Sequence, residues 1–348
     1  MDRPFVSVVL PVRNEARHLR PCLEAVLAQD YPADDMEILV ADGMSDDGTR
    51  AIVAEFARRD PRVRLVDNPG RIVPAGLNAA IARARGSVVV RVDGHTLVER
   101  DYVARAVEAL ARTGADVVGG SMTPRARSLF GRAVALATST PMGVGGSRFH
   151  YALSEEPAES VYMGSFRRDA FTRFGLFDEG LVRNQDDEFN YRVREAGGQV
   201  VLAPAMRSWY TPRETPGALF RQYLQYGYYK VRVAALHPRM ARPRHLIPSA
   251  FVLVSAGLAA ASPVVPAAGG LLAAGWALHA AASLALALPG GRRDPAAWAL
   301  VPAATLLLHV GYGTGFLAGA AAAAAGRAPG GGRRAAEGRA SGAGTEAP

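Results

Sequence analysis

The chain has 348 residues, enough for one large α/β domain with an appendage or for two modest domains, and 49% of them are apolar. Its formal net charge of +8 comes from arginine with very little lysine, a balance that suits anionic lipid headgroups, phosphorylated substrates or nucleic acid. The first 245 residues hold no basic run interleaved with aromatics, so nucleic acid is not an expected partner. A single cysteine, Cys22, excludes an intrachain disulfide and a cysteine-based zinc site. Its setting in His18-Leu-Arg-Pro-Cys-Leu-Glu-Ala-Val-Leu predicts a core residue on the apolar face of a first helix.

In chain order, residues 5–12 read as a strand that is apolar nearly throughout, as parallel strands covered on both faces tend to be. A helical pattern over residues 15–28 ends at Gln-Asp-Tyr-Pro. Residues 37–41 form a second short apolar run, closed by the turn-rich Asp42-Gly-Met-Ser-Asp-Asp-Gly-Thr. A helix near residues 49–58, a strand at 63–66, a helix at 78–84 and a strand at 87–92 follow, the last ending at Asp93-Gly-His. This alternation predicts an open α/β sheet, whose ligands bind beyond the carboxyl ends of its strands. Those ends carry Arg13, Asn14 and Glu15, then Asp42, then Asp93 and His95. No Gly-x-Gly-x-x-Gly follows the first strand, which disfavours a dinucleotide-binding domain and hence a nucleotide-sugar oxidoreductase.

Residues 116–215 are less regular and include the polar cluster Asn184-Gln-Asp-Asp-Glu-Phe-Asn-Tyr-Arg. After a basic, aromatic stretch over 213–244, residues 246–291 and 295–326 contain no Asp, Glu, Lys or Arg. Since about 20 apolar residues cross a bilayer core, spans are expected at 246–263, 268–288 and 297–325. The start of the chain has no basic-then-apolar signal pattern, so the amino-terminal part is expected in the cytosol. Arg239, Arg242 and Arg244 before the first span, and Arg292 and Arg293 after the second, agree with that orientation. Arg residues beyond 326 conflict with a single crossing of the third segment, which is expected to be a re-entrant or hairpin element broken at Gly311-Tyr-Gly-Thr-Gly. The Gly-, Ala- and Arg-rich tail 327–348 is expected to be disordered.

Pro11-Val-Arg-Asn-Glu, Val40-Ala-Asp-Gly-Met-Ser-Asp-Asp-Gly-Thr, Val92-Asp-Gly-His and Asn184-Gln-Asp-Asp-Glu-Phe resemble, in order and spacing, the motifs of family 2 glycosyltransferases. The nearest group is that of succinoglycan-type exopolysaccharide enzymes. The resemblance covers roughly residues 5–232 and implies a GT-A-type open mixed sheet flanked by helices, followed by C-terminal transmembrane helices. It divides the chain into a cytosolic catalytic domain (1–232), a membrane region with two or three hydrophobic helices (233–326) and the tail.

The resemblance implies that Glu15 and Asp42 hold the base and ribose of a nucleotide-sugar donor, a UDP-sugar above all, since carboxylates accept hydrogen bonds from an imide N–H and from ribose hydroxyls. Asp46 and Asp47 read instead as turn and capping residues. Asp93-Gly-His stands where the family has Asp-x-Asp, implying a divalent metal, Mg²⁺ or Mn²⁺, at Asp93 and His95. His in place of the second Asp suits Mn²⁺ better than Mg²⁺. Arg71 is a candidate for the diphosphate. Asp186 aligns with the family's catalytic base, although Gln185 replaces the usual Glu before it, and Asp187 is the reserve. On a helix the two side chains would point about 100° apart, so only one faces a site. Gln222 and Tyr226, in Gln-Tyr-Leu-Gln-Tyr, stand where related polymer synthases have Gln-x-x-Arg-Trp and are candidates for acceptor contact or gating. Gly164-Ser-Phe-Arg-Arg resembles an acceptor-side loop.

Together these readings predict an inverting sugar transfer, glucose by resemblance, to a polyprenyl-diphosphate-linked or polysaccharide acceptor at the membrane. The alternatives are a processive polysaccharide synthase and a non-catalytic subunit of an export complex.

Overall fold

The computed structural model describes residues 3–240 and 242–327. The first strands form because their residues are apolar on both faces: every side chain of β1 (Val6–Val12) and β2 (Met36–Asp42) is buried. Helix α1 (Leu19–Leu27) separates them, and α2 (Thr49–Arg59) leads to β3 (Val63–Asp67). Then come α3 (Val73–Ile81), β4 (Val88–Arg91), the two-residue β5 (Leu97–Val98), α4 (Tyr102–Thr113) and β6 (Val117–Pro124). Two short helices follow, α5 (Leu129–Thr138) and α6 (Pro141–Val144). The sheet is completed by β7 (Glu156–Pro157), β8 (Ser165–Arg167) and, after α7 (Ala170–Phe174) and α8 (Gln185–Glu195), by β9 (Val200–Tyr210).

The result is the open mixed sheet that the sequence leads one to expect, with nine strands in the order β3-β2-β1-β4-β8-β6-β9-β5 and β7 on β9. The β3-β2-β1-β4 part is parallel, and β8 pairs antiparallel with both β4 and β6. One face packs α1, α2 and α4 through Leu23, Phe56 and Tyr102. The other packs α3, α7 and α8 through Leu77 and a knot of Phe166, Phe171, Phe177 and Phe189, whose ring centroids lie 4.8–6.2 Å apart. Cys22 is fully buried in the first cluster, and burial pushes its thiol up to about 12, so it is no nucleophile. Two helices start away from their expected positions. Helix α1 begins at Leu19 because residues 15–16 are held by a neighbouring loop, and α3 begins at Val73 because Pro74 is tolerated in a first turn.

The carboxy-terminal third is helical: α9 (Pro216–Leu236), α10 (Ile247–Ala261), α11 (Pro266–Gly291), α12 (Pro295–Ala299) and α13 (Val301–Ala324). Among the described residues two helices, α11 and α13, are long and apolar enough to cross a bilayer. The expected first span falls short, since the 15 residues of α10 reach only ~22 Å against a hydrocarbon core of about 30 Å. The expected break at Gly311-Tyr-Gly-Thr-Gly is overturned, for α13 runs unbroken through it. Arg327 therefore lies at the opposite end of α13 from Arg292 and Arg293. The Arg residues at 333, 334 and 339 lie outside the described residues.

Those glycines are there for close packing. A Cβ on Gly311 would meet the Phe220 carbonyl of α9 at 2.9 Å, one on Gly319 the Tyr228 carbonyl at 2.7 Å, and one on Gly315 would sit still closer to the Leu224 carbonyl. Gly313, on another face, lies against Pro248 of α10 in the same way. Small residues spaced by four let two helix backbones touch where no hydrophobic drive exists between them. Helix α9 thus continues past residue 232, the expected boundary, packed along α13. Helices α5, α11, α12 and α13 join through Ala133, Ala137, Ala287, Ala297 and Val301.

Gly315→Leu is accordingly expected to destabilise the detergent-solubilised protein by ~2 kcal/mol or more, read as a lowered melting temperature. Gly270→Leu, where an added Cβ meets nothing within 4 Å, is expected to leave it unchanged.

Candidate active site

At the carboxyl ends of β1 and β2 two loops are stitched together. The Asn14 amide donates to Ser45 Oγ (2.9 Å) and its side chain exchanges hydrogen bonds with Asp46. Asp47 accepts from the Ala16 amide and from Thr49 Oγ1, and Thr49 Oγ1 accepts from the Glu15 amide. Asp46 and Asp47 are therefore spent on the loop. Asn14 and Met44 both have positive φ, the bend that lets the loops interlock.

The core of the site is a buried arginine. Arg91, the last residue of β4, is 3% exposed. Its Nε donates to Asp93 Oδ1 at 2.8 Å and its Nη1 to Asp186 Oδ1 at 2.5 Å, so one guanidinium joins a strand end to the first turn of α8 across 95 residues of sequence. Burial works against the charge of Arg91, but the two carboxylates more than restore it. Burial also works to raise Asp93, and Arg91 holds it below the usual carboxylate range. Asp186 goes the other way: burial, with the Asp93 and Asp187 charges added, pushes it up to about 6 against the pull of Arg91.

The three consecutive acids of α8 diverge to three partners. Asp186 takes Arg91, Asp187 takes Lys230 Nζ at 2.9 Å, and Glu188 takes Arg192 and His237 at 2.7 and 2.9 Å. Burial would raise Asp187, but Lys230 keeps it low. Asp186 is thus the acid whose proton affinity is lifted.

His95 Nδ1 lies 3.1 Å from Glu15 Oε1. That bond raises the imidazole above its ordinary value, with burial opposing and Asp93 adding. When Nδ1–H donates to Glu15, Nε2 keeps its lone pair, the arrangement by which a carboxylate orients a metal-ligating histidine. Among the described residues no group of three or more His, Cys, Asp or Glu could hold a metal ion. What the protein offers is a partial set, the Asp93 carboxylate and the His95 imidazole on one cavity wall. One or two protein donors completed by substrate phosphates is a usual arrangement for such divalent cations, and these two residues fit it.

One cavity of about 1690 Å³ contains Arg13, Glu15, Arg71, Arg91, Asp93, His95, Asp186 and Asp187, and extends to Gln222, Tyr226 and Lys230 of α9. Gln222 Nε2 donates to Tyr226 Oη at 2.9 Å, and the Tyr226 carbonyl accepts from Asn184, the residue that starts α8. Asp42 is not on this wall. It is fully buried, covered by Arg50 Nη1 at 2.8 Å, and its Oδ1 has no partner among the described residues. The Glu15 carboxylate likewise faces His95 rather than standing free. Arg167 and Arg168, read as an acceptor-side loop, bind backbone carbonyls of residues 85, 110 and 115 and lie outside the cavity.

Sequence reasoning missed Arg91 and Lys230. Residues two apart on a strand share a face, so an Arg inside Ser87-Val-Val-Val-Arg-Val-Asp was a signal that pointed to Asp93. Lys230 had a signal too, being the one lysine in an arginine-rich chain.

An open mixed sheet with buried carboxylates at its strand ends and a cleft beside them defines a nucleotide-sugar transferase scaffold. Residues 7–175 match Glycosyl transferase family 2. The chain belongs to that family. It is 32% identical over 315 residues to "Succinoglycan biosynthesis protein ExoA" of Rhizobium meliloti (strain 1021), covering 89% of this chain and 93% of that one. A "Dolichyl N-acetyl-alpha-D-glucosaminyl phosphate 3-beta-D-2,3-diacetamido-2,3-dideoxy-beta-D-glucuronosyltransferase" of Methanococcus voltae is 27% identical, covering 64% and 72% of the two chains. Among solved structures, the mannosyltransferase PcManGT from Pyrobaculum calidifontis, in complex with GDP-Man and Mn²⁺, aligns with a TM-score of 0.60 at 25% identity over 90% of this chain and 88% of that one.

Removing Arg91, which is itself buried, would leave two half-buried carboxylates without a counter-charge. Arg91→Met is expected to cost about 3–5 kcal/mol of stability, measured by chemical denaturation. The triple variant that adds Asp93→Asn and Asp186→Asn is expected to recover most of the loss.

Proposed function

We propose that the chain is an inverting hexosyltransferase that moves a sugar from a nucleoside diphosphate sugar onto a lipid-linked or growing exopolysaccharide acceptor at the membrane. The observation that carries this reading is Asp186, a half-buried carboxylate whose proton affinity is raised and whose position is fixed by Arg91 next to Asp93. A general base works best with a pKa near the operating pH. Asp186 takes the proton of the acceptor hydroxyl as that oxygen attacks the anomeric carbon. The bond to the diphosphate breaks on the opposite face, so an α-linked donor yields a β-glycoside.

Arg13 and Arg71, both on the cavity wall beside Asn68, bring positive charge to the diphosphate. Glu15 positions His95, and Asp93 with His95 would hold a divalent cation, Mn²⁺ in preference to Mg²⁺ because imidazole is one of the two donors. Such a cation, when bound, neutralises charge on the departing diphosphate. Gln222 and Tyr226, tied to each other and to the start of α8, contact the acceptor. The apolar surface of α10 and α11, with Leu253, Leu271, Trp276 and Leu278 exposed, supports membrane embedding, and the arginines before α10 and after α11 support a cytoplasmic catalytic side. The relative in Rhizobium meliloti supports an exopolysaccharide product and, with the sequence resemblance, a UDP-glucose donor. GDP-mannose, present in the Pyrobaculum calidifontis complex, is the competing donor.

Membranes carrying the protein, given radiolabelled UDP-glucose or GDP-mannose with Mn²⁺ or Mg²⁺, are expected to move label into the lipid fraction. Asp186→Asn is expected to lower that rate by about 10²–10⁴, and Asp93→Ala to abolish its metal dependence. No nucleotide binding and no transfer from any donor would sink the reading.

Only the ionised base accepts a proton. The kcat/KM profile is therefore expected to rise with pH through about 6, the value to which burial lifts Asp186. A profile flat from pH 5 to 8 would assign the base elsewhere.

A further inference from the structure

The cavity does not end at the base. Past Asp187 it reaches a second charged cluster at the foot of the membrane helices. Lys230, the only lysine among 40 basic residues, is 8% exposed on α9, and its ammonium is held by Asp187 at 2.9 Å. Arg244, just before α10, is held by Glu159. His245 lies close to both cations; burial first, then the charges of Lys230 and Arg244, push its imidazole down to about 4, so it is neutral. Tyr312 of α13 is near enough to Asp187 to feel its charge, and its buried Oη has no hydrogen-bond partner among the described residues. Beyond these groups the wall is mostly apolar, with Ile247 and Phe251 of α10 and Leu308 of α13, and its polar groups His279 and His309 are hydrogen-bonded to each other at 3.0 Å and packed on Phe251.

Two cations and an idle hydroxyl donor at the neck of an apolar lobe describe a receptor for an amphiphile with an anionic head. An unsatisfied buried hydroxyl destabilises the site, and an incoming acceptor oxygen removes that cost. A lysine ammonium has three donors on a compact charge, so it can keep Asp187 and still take a phosphate oxygen. A polysaccharide alone would leave the apolar lobe without a matching partner.

We propose that Lys230, Arg244 and Tyr312 bind the phosphate that joins the acceptor glycan to its lipid, with the first part of the lipid chain between α10 and α13. The inference rests on the transferase reading above and narrows its acceptor to the lipid-linked class. Asp186 and Asp187 are consecutive, so the base and the counter-ion of the phosphate site are set by the same turn of α8. The sugar end of the acceptor lies at Asp186 and its lipid end at Lys230.

The test uses the full chain in nanodiscs of zwitterionic lipid with saturating UDP and Mn²⁺, so that the donor end is filled. Binding of farnesyl diphosphate, inorganic diphosphate and farnesol is measured by tryptophan fluorescence, and repeated in nanodiscs containing phosphatidylglycerol. Farnesyl diphosphate is expected to bind about tenfold or more tightly than either fragment, because head and chain both contribute. Lys230→Met and Arg244→Gln are each expected to weaken it about tenfold. The double variant Lys230→Met/Asp187→Asn removes both charges of the pair and guards against misfolding; it is expected to show the same loss. Equal binding of inorganic and farnesyl diphosphate, or variants that bind like the wild type, would overturn the proposal. Displacement by phosphatidylglycerol would also overturn it, by identifying a bulk-lipid site. A protein that binds UDP but no farnesyl diphosphate sinks this inference alone, whereas one that binds farnesyl diphosphate but no nucleotide sinks the transferase reading and keeps the lipid site.

Discussion

A buried guanidinium shared by two half-buried carboxylates is the interaction on which the site depends. Taking each of these charges out of water costs several kcal/mol, and the loss is offset only when geometry and hydrogen bonds are good. Arg91 meets that condition with Nε on one acid and Nη1 on the other. Two acids against one base leave a surplus negative charge, and the surplus does not fall evenly. Asp93 lies two residues after Arg91, just past the end of β4, and stays low, while Asp186 is raised. The same contact therefore fixes the separation between Asp93 and the proposed base Asp186 and gives them different proton affinities.

The second consequence is mechanical. The first turn of α8 projects side chains in successive directions, and each one it presents is anchored to a different part of the fold. Asp186 reaches the sheet, while Asp187 and Asn184 reach α9. Helix α9 in turn lies backbone to backbone along α13 through a stripe of glycines. The helices with membrane-spanning length are thus part of the wall of the same cavity as Asp93. A shift of α13 against α9 would be felt at Asp187 through Lys230, because tightly packed helices transmit displacement rather than absorb it.

What the sequence made legible follows from local physics. Strands buried on both faces read as apolar runs, so the parallel half of the sheet and its ligand-bearing ends were visible, as were Cys22 as core and Asp47 as a capping group. What stayed hidden depends on neighbours distant in sequence. Glycines at 311, 313 and 315 read as a helix break because glycine is costly in an isolated helix; the carbonyls of α9 and α10 against which they pack reverse that preference. Asp42 stands at a strand end like any ligand-binding acid, and only the fold shows that Arg50 closes over it. The three acids of α8 are alike in sequence, and it takes Arg91, Lys230 and His237, from three other places in the chain, to tell them apart.

Histidine in place of the second carboxylate of the Asp-x-Asp pattern looks at first like a loss of negative charge where a diphosphate-bound cation would sit. Glu15 changes that account. Once its proton is displaced so that it can act as a ligand, an imidazole hydrogen-bonded to a carboxylate is a pair of net charge −1, the same as an aspartate in its place, with the charge moved one bond network outward. In the proposed reaction such a pair would meet the electrostatic demand of the diphosphate with a softer nitrogen as the donor atom. Asn14 and Glu15 belong to the loop that Asp46, Asp47 and Thr49 hold rigid, so the orientation of His95 is set by the stitching of two loops at the ends of β1 and β2. A substitution at residue 95 and a carboxylate 80 residues earlier in the chain are in this sense one feature, and neither can be interpreted without the other.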